Sequence, residues 1–310
     1  MSLWAKLKSA GPSGFGYGST AEDVTRDIDL AGKTMLVTGC NSGIGYETLR
    51  VLALRGAHVF AAARTVDKAR AACQGMAETT PVACELSEPE VVTACVETIV
   101  ASGRKLDAII CNAAIMALPR LEQKYGYEMQ FFTNHIGHFL LVTGLLDCLA
   151  DDGRVVMLSS AAHKSAPRQG IEFDNLSGEN GYSGWRAYGH AKLANLLFAR
   201  ELSRRLQDSG KTANAVHPGV IQTNLARHMT PLARVALTIA TPIALKTAAQ
   251  GAATQVYVAT HPSLAKVSGE YFADCNVTRS SVQGQDMEMA KKLWEVSEKI
   301  IAGLGDQASS

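Results

Sequence analysis

No stretch of this chain offers a bilayer-length run of apolar residues. Pro231 to Leu245 is too short and is broken by Arg234 and Pro242. The opening MSLWAKLKSAGPSGFGYGST holds no run of signal-peptide length. Neither a transmembrane segment nor a cleaved leader is expected. An excess of one charge is also missing: 30 Lys and Arg against 29 Asp and Glu leave a net charge of +1. Without a strong field, nucleic acid is not expected as a partner. Seven cysteines are scattered with no C-x-x-C pair and no metal-like spacing. Their odd number and the large chain point to unpaired thiols, a reducing compartment and a cytoplasmic location. No metal is expected. Internal repeats and low-complexity segments are absent as well.

What is present is apolar substance: 47% of 310 residues, enough for one large core. From Lys33 onward, strand-like runs alternate with helical patterns. The predicted strands are Thr34 to Val37, Ala57 to Ala63, Pro81 to Cys84, Leu106 to Cys111, Arg154 to Leu158, Thr212 to Val216 and Gly269 to Phe272. The first turn leads into a helix through Leu54, and Arg186 to Asp208 is a long helical segment. Continuous apolar strands between helices predict an α/β fold, a doubly wound parallel (Rossmann) sheet in one domain. Ligands then bind beyond the carboxyl ends of the strands. The domain is expected over 30–303, after an N-terminal extension at 1–29 and before a flexible tail at 304–310. Residues 222–247 carry two prolines and many small apolar residues, and are expected to form a helical substrate lid. A packing insertion at a subunit contact is the alternative. Trp4, Lys6, Leu7 and Lys8 could form an amphipathic turn in peripheral contact with a membrane, or simply fray.

The first strand runs into TGCNSGIG at 38–45. Gly39 permits a tight turn, while Gly43 and Gly45 let backbone approach a pyrophosphate at a helix N-terminus. Following a strand and opening a helix, the turn predicts a nucleotide site, with Gly39, Asn41, Ser42, Gly43, Ile44 and Gly45 as contacts. The spacing matches neither G-x-G-x-x-G nor an ATPase phosphate loop. Where an NAD site usually places an acid, the second strand ends in Arg64, with Lys68 one helical turn later. A guanidinium can pair with a 2′-phosphate, so the cofactor is expected to be NADP(H).

Tyr188 and Lys192 lie four apart in a helical pattern and so share a face. A phenol titrates near pH 10, and a neighbouring ammonium is expected to lower that value. The fifth strand ends in Ser159-Ser160, and Ser160 is the candidate donor to a substrate oxygen, with Ser159 as a turn-capping hydroxyl. Asn112-Ala113-Ala114 forms a small-residue turn after the fourth strand, which would let a cofactor lie flat. Asn134 is an unfavourable helix-interior residue, which suggests a polar duty such as holding a relay water.

Together these motifs resemble the short-chain dehydrogenase/reductase family over about residues 30 to 303. The chain meets T-G-x-x-x-G-x-G at 38–45, the N-A-A turn at 112–114, the Asn at 134, the Ser at 160, Y-x-x-x-K at 188 and 192, and P-G at 218–219. TNHIGHFLL, YGHAKLANLLFARELSRRL and NAVHPGVIQTNL are similar to the retinol dehydrogenase-like branch. That branch includes the dehydrogenase domain of the WW-domain-containing oxidoreductase. GPSGFGYGSTAEDVT is similar to the chloroplast-import-associated short-chain dehydrogenase of plants. The resemblance implies a proton-relay tetrad of Asn134, Ser160, Tyr188 and Lys192. It implies cofactor contacts at Pro218, Gly219, Val220 and Thr223, and at Glu85 and Leu86 beside the adenine. Glu85 departs from the family's usual Asp. Neither a WW module nor an N-terminal membrane anchor is expected.

The expected activity is NADP(H)-dependent interconversion of a carbonyl and an alcohol, acting on CH–OH donors. Reduction of lipophilic aldehydes or ketones (retinoid-, steroid- or fatty-aldehyde-like) is favoured, by analogy alone. An NADPH-sensing partner of a larger assembly is the alternative. Family habit implies homodimers or tetramers. His135 and His138 are expected to serve packing or helix–helix hydrogen bonding, His217 a turn, and Cys40 inert packing. Trp185 and Tyr182 could line the substrate mouth or form a solvent-side cluster.

Overall fold

The computed structural model describes residues 9–221 and 245–308, with side chains to 304. Eight strands form one sheet: β1 Thr34–Thr38, β2 His58–Ala63, β3 Thr79–Ala83, β4 Leu106–Cys111, β5 Leu149–Leu158, β6 Thr212–His217, β7 Tyr271–Ala273 and β8 Asn276–Val277. Their order across the sheet is β8-β7-β6-β5-β4-β1-β2-β3. All neighbours are parallel except β7 and β8. The fold is the doubly wound α/β sheet that the alternating pattern predicts. The order reverses at β1, so a crevice opens between the carboxyl ends of β1 and β4.

The core lies in two layers because side chains alternate along each strand. Met35 and Val37 of β1 enter one layer with Leu49 and Leu52 of α1 (Gly43–Leu54) and Val256. Leu36 enters the other with Val92, Ile99, Phe139 and Trp294. Both faces being covered, β1 and β2 are buried at every residue. That is why they read as continuous apolar runs rather than alternations.

Four boundaries differ from expectation. β5 begins at Leu149, well before Arg154. Its outer half, Ala-Asp-Asp-Gly, reads as turn, yet Leu149 pairs with Leu106 and buries there. β3 starts at Thr79 and includes Pro81, which an outermost strand tolerates because its free edge needs no N–H. Gly269 has φ +80, outside strand geometry, so β7 starts only at Tyr271. The last helix runs Met287–Ala308, so helical backbone continues into the stretch expected to be a tail. A two-residue hairpin, Gln123–Lys124 with Tyr127–Glu128, was not foreseen. Its turn has Tyr125 and Gly126 at positive φ. The proposed lid falls almost entirely at 222–244, outside the described residues, as do Thr223 and the amphipathic turn at 4–8.

Two long helices carry the chemistry's framework. One spans 129–145 and is interrupted by a π segment at Phe132–Ile136. The other is Gly184–Arg205. The last helix covers both: the Trp294 ring stacks on Phe198 at 5.6 Å and meets Phe139 edge-on at 4.8 Å. Such aromatic pairs add about 0.5–1.5 kcal/mol beyond area burial. Among the described residues no helix is long and apolar enough to cross a membrane.

Candidate active site

The Gly-rich turn is shaped by contact with the N-A-A turn. Gly39 has φ +70, and a Cβ on it would lie 2.9 Å from the Ala113 Cα. A Cβ on Gly45 would lie 2.2 Å from the Gly39 carbonyl oxygen and 2.5 Å from Asn112 Nδ2. Gly43 opens α1 with φ +56. Ser42 is the N-cap but makes no side-chain capping bond, and the first turn holds no acid. The leading N–H groups of α1 therefore keep their capacity for an anion. Asn41 and Ser42 are exposed at this turn. Ile44 packs toward Ile221 across Gly251, where a Cβ would meet both side chains at about 2.5–2.6 Å. The geometry fits a dinucleotide phosphate.

Thr38, at the end of β1, ties the two turns together. Its Oγ1 accepts from Asn112 N at 2.9 Å and from Ala113 N at 3.0 Å. Asn112 Nδ2 donates to the Thr38 carbonyl at 2.8 Å. With both lone pairs of Oγ1 taken, the Thr38 proton is left for His138 Nε2, 2.9 Å away. His138 is then the Nδ1–H tautomer and donates to the Asn134 carbonyl at 2.9 Å. Burial holds its pKa down to about 4, so the ring is neutral. On the far side, Gln255 Nε2 reaches Asn112 Oδ1 at 3.4 Å and also Thr48 Oγ1. Gln255 was not singled out in sequence, and this tie between the turns was not foreseen for Thr38 or His138. Their one signal is a polar residue set inside an apolar element.

At the carboxyl end of β5, Ser160, Tyr188 and Lys192 converge. The Tyr188 hydroxyl faces the Ser160 side chain, close enough for Ser160 to draw the phenol's pKa down. Lys192 Nζ lies 5.7 Å from the Tyr188 ring centre and donates to the Leu158 carbonyl at 2.9 Å. Ser159 has another duty, donating to the Lys192 carbonyl at 2.7 Å. Ser160 Oγ also accepts from Ala162 N at 3.2 Å, capping the next turn. Gly189 lets this helix approach closely, since a Cβ there would lie 2.6 Å from the Ala162 carbonyl.

Two expectations are corrected here. Burial pushes the Tyr188 phenol up to about 12, against the opposite pull of the Ser160 side chain beside it. Burial likewise pushes Lys192 down to about 7. Tyr188 is 8% exposed and Lys192 2%, so loss of water outweighs any attraction between their charges. The lysine therefore does not hold the phenol below its ordinary value. Asn134 is the second correction. Its side chain is not left facing a relay water: Oδ1 accepts from Ile115 N and Nδ2 donates to Ile115 O, each at 2.9 Å. The π segment turns it onto the irregular segment that leaves the N-A-A turn.

The remaining candidates line the same sheet edge. Arg64 and Lys68 are exposed beyond β2, and among the described residues neither is in a salt bridge. Glu85 accepts from Ser87 Oγ at 3.1 Å. Leu86 is buried, and its carbonyl packs where Gly137 leaves room. Ala114 is exposed past Ala113. Pro218, Gly219 and Val220 turn out of β6, with Gly219 at φ +94 and Val220 exposed. His217 Nδ1 accepts from Ala161 N at 3.2 Å and so joins this turn to Ser160's. His135 bonds Ser297 at 2.8 Å, within an aromatic cluster. Cys40 is buried, its thiol pushed up to about 12. Trp185 is 55% exposed and meets the Tyr188 ring edge-on at 6.2 Å. Tyr182 instead donates to Leu118 O at 2.9 Å.

Comparison with known proteins agrees with this layout. Residues 33–232 match the family model described as short chain dehydrogenase. The chain is 44% identical to short-chain dehydrogenase TIC 32 A, chloroplastic, of Brassica napus, over 95% of this chain and 97% of that protein. It is 38% identical to human retinol dehydrogenase 11, over 88% and 87% respectively. A solved structure of an uncharacterised protein from Mycobacterium Paratuberculosis superposes with a TM-score of 0.73 at 33% identity. That match covers 90% of this chain and 96% of the other. The chain belongs to the short chain dehydrogenase family of oxidoreductases.

Proposed function

We propose that the protein is an NADP(H)-dependent reductase of lipophilic aldehydes or ketones, working on the carbonyl/alcohol pair. The observation that carries this reading is the juxtaposition of the Ser160 and Tyr188 side chains at the end of β5, with Lys192 beside the ring. When bound, the nicotinamide supplies the hydride. The chain's own residues handle the oxygen. Ser160 donates to it as negative charge develops, and Tyr188 delivers the proton from Oη. A phenol that burial keeps protonated is suited to giving a proton, which favours reduction. Lys192 stands ready to offset the charge left on the tyrosine.

NADP(H) over NAD(H) rests on Arg64, exposed and free of acidic partners among the described residues at the end of β2. A guanidinium there suits a 2′-phosphate and gives no acceptor for a ribose hydroxyl. Lipophilic substrates are suggested by the exposed indole of Trp185 beside Tyr188 and by the name of the human relative, retinol dehydrogenase 11. The test is loss of NADPH absorbance with a panel of aldehydes of rising chain length. The reading expects turnover that improves with apolar length. Absence of turnover with every carbonyl, despite tight NADPH binding, would favour a sensing protein instead.

A further inference from the structure

Lys246 is a charged residue placed where charge is costly: its side chain is wholly buried. It lies outside the Ser160–Tyr188–Lys192 group, yet every contact it makes bears on the turn after β6. Its backbone N donates to the Val220 carbonyl at 2.9 Å, and it bridges Ile221 in parallel. Its methylenes form the wall against Gly219, where a Cβ would lie 2.6 Å from Lys246 Cδ and 3.0 Å from Cε. Gly219 stands at φ +94, so the wall and the backbone conformation both require glycine there.

The ammonium is held from the opposite side. Nζ pairs with Asp274 Oδ1 at 2.7 Å and lies 4.8 Å from the centre of the Tyr17 ring. Asp274 sits at φ +51 in the tight turn between β7 and β8, a conformation Asp tolerates better than most residues. That turn is itself fastened to the N-terminal extension. Asn276 Nδ2 donates to Asp274 O at 2.7 Å and to Phe15 O at 3.0 Å, and Asn276 Oδ1 accepts from Ser13 N at 3.0 Å. Gln250, four residues past Lys246, donates to Gly18 O at 3.3 Å.

We infer that Lys246 is a positioning residue: a buried strut that transmits the rigidity of the β7–β8 turn and the N-terminal extension to Pro218–Val220. A buried, paired charge resists displacement, because moving it leaves the buried ammonium without its counter-charge. An apolar residue of equal length would fill the space without that charge pairing. The inference rests on the proposed function only in assigning the turn to the cofactor. Dinucleotide affinity should then depend on a contact that touches no dinucleotide.

The experiment is hydrogen exchange and dinucleotide titration on the full chain, comparing wild type with Lys246→Met. Expected are faster exchange in peptides covering 216–221, unchanged exchange in β2, and NADPH and NADH affinities each weakened about tenfold, the scale of one lost charged contact. Should Lys246→Met fail to fold, Asp274→Asn carries the same comparison, since Asn accepts positive φ and removes only the charge. Unchanged exchange at 216–221 overturns the strut. Faster exchange with unaltered affinity for either dinucleotide overturns it as a positioning residue. If wild type binds neither dinucleotide, the proposed function fails, while exchange at 216–221 still decides whether Lys246 holds the turn.

Discussion

The Thr38 hydroxyl donates to His138 Nε2 across 2.9 Å, because both of its lone pairs are already used by the Asn112 and Ala113 N–H groups. This one hydroxyl joins the end of β1, the N-A-A turn and the π-interrupted helix. Thr38→Val keeps the shape and removes the bonds, leaving Ala113 N and His138 Nε2 unpaired, while Asn112 N keeps its bond to Ile110 O at 3.0 Å. It is expected to cost about 2–6 kcal/mol in urea unfolding, at about 1–3 kcal/mol for each of the two orphaned groups. Thr38→Ser is expected to stay close to wild type. Equal stability of the Val and Ser variants would show that the hydroxyl is idle.

Arg64 and the choice of cofactor are tested by Arg64→Ala. NADPH affinity is expected to weaken by about 1.5–3 kcal/mol, roughly ten- to a hundredfold. NADH affinity is expected to stay nearly unchanged, because only the 2′-phosphate differs. Fluorescence titration with both cofactors reads the outcome, and equal losses would remove Arg64 from the 2′ position.

The pH profile of reduction is expected to follow Lys192 rather than Tyr188. Burial holds Lys192 near 7 and Tyr188 near 12, so the ammonium is lost first as pH rises. kcat/KM for carbonyl reduction, taken across pH 5.5 to 9, is therefore expected to fall with an apparent pKa close to 7. Alcohol oxidation, which needs the Tyr188 phenolate to accept the alcohol's proton, is expected to rise with pH instead. A reductive limb that stays flat up to pH 9 contradicts a role for charged Lys192.

Acid is expected to destabilise the fold through buried imidazoles. Ser297 Oγ donates to Leu293 O, so His135 must donate to Ser297 from Nε2, leaving Nδ1 without a partner. Burial pushes its pKa down to about 3, and His138 and His190 to about 4. Unfolded histidine binds its proton near 6.5, so between about 6.5 and those depressed values the unfolded chain binds more protons. Stability is present above 6.5 and is lost as pH falls through that window, by up to about 1.4 kcal/mol per pH unit for each such histidine. His135→Phe suits the surrounding rings and is expected to make Tm less sensitive to pH between 6 and 4. An unchanged pH slope would show that His135 takes no part in acid unfolding.

The strands and the site's membership were legible because both depend on local pattern. β1 and β4 are apolar on both faces, and the Gly-rich turn and Tyr188–Lys192 spacing are short-range signals. What stayed hidden depends on burial, which spacing does not encode. The i,i+4 pairing of Tyr188 with Lys192 suggests a lowered phenol, whereas desolvation raises it. Asn134's duty was half legible: a polar helix residue needs a partner, but only the π segment decides that Ile115 provides it. Lys246 looks like a surface residue in sequence, and only the fold encloses it.

The central claim is that Tyr188 gives up the proton. Its most direct test is single-turnover oxidation of bound NADPH by an apolar aldehyde in wild type and Tyr188→Phe, with NADPH affinity measured in parallel. The account predicts unchanged NADPH affinity and a turnover rate in the variant lowered by about 10²–10⁴, the range for loss of a general acid. A Tyr188→Phe protein that oxidises NADPH at close to the wild-type rate would contradict it.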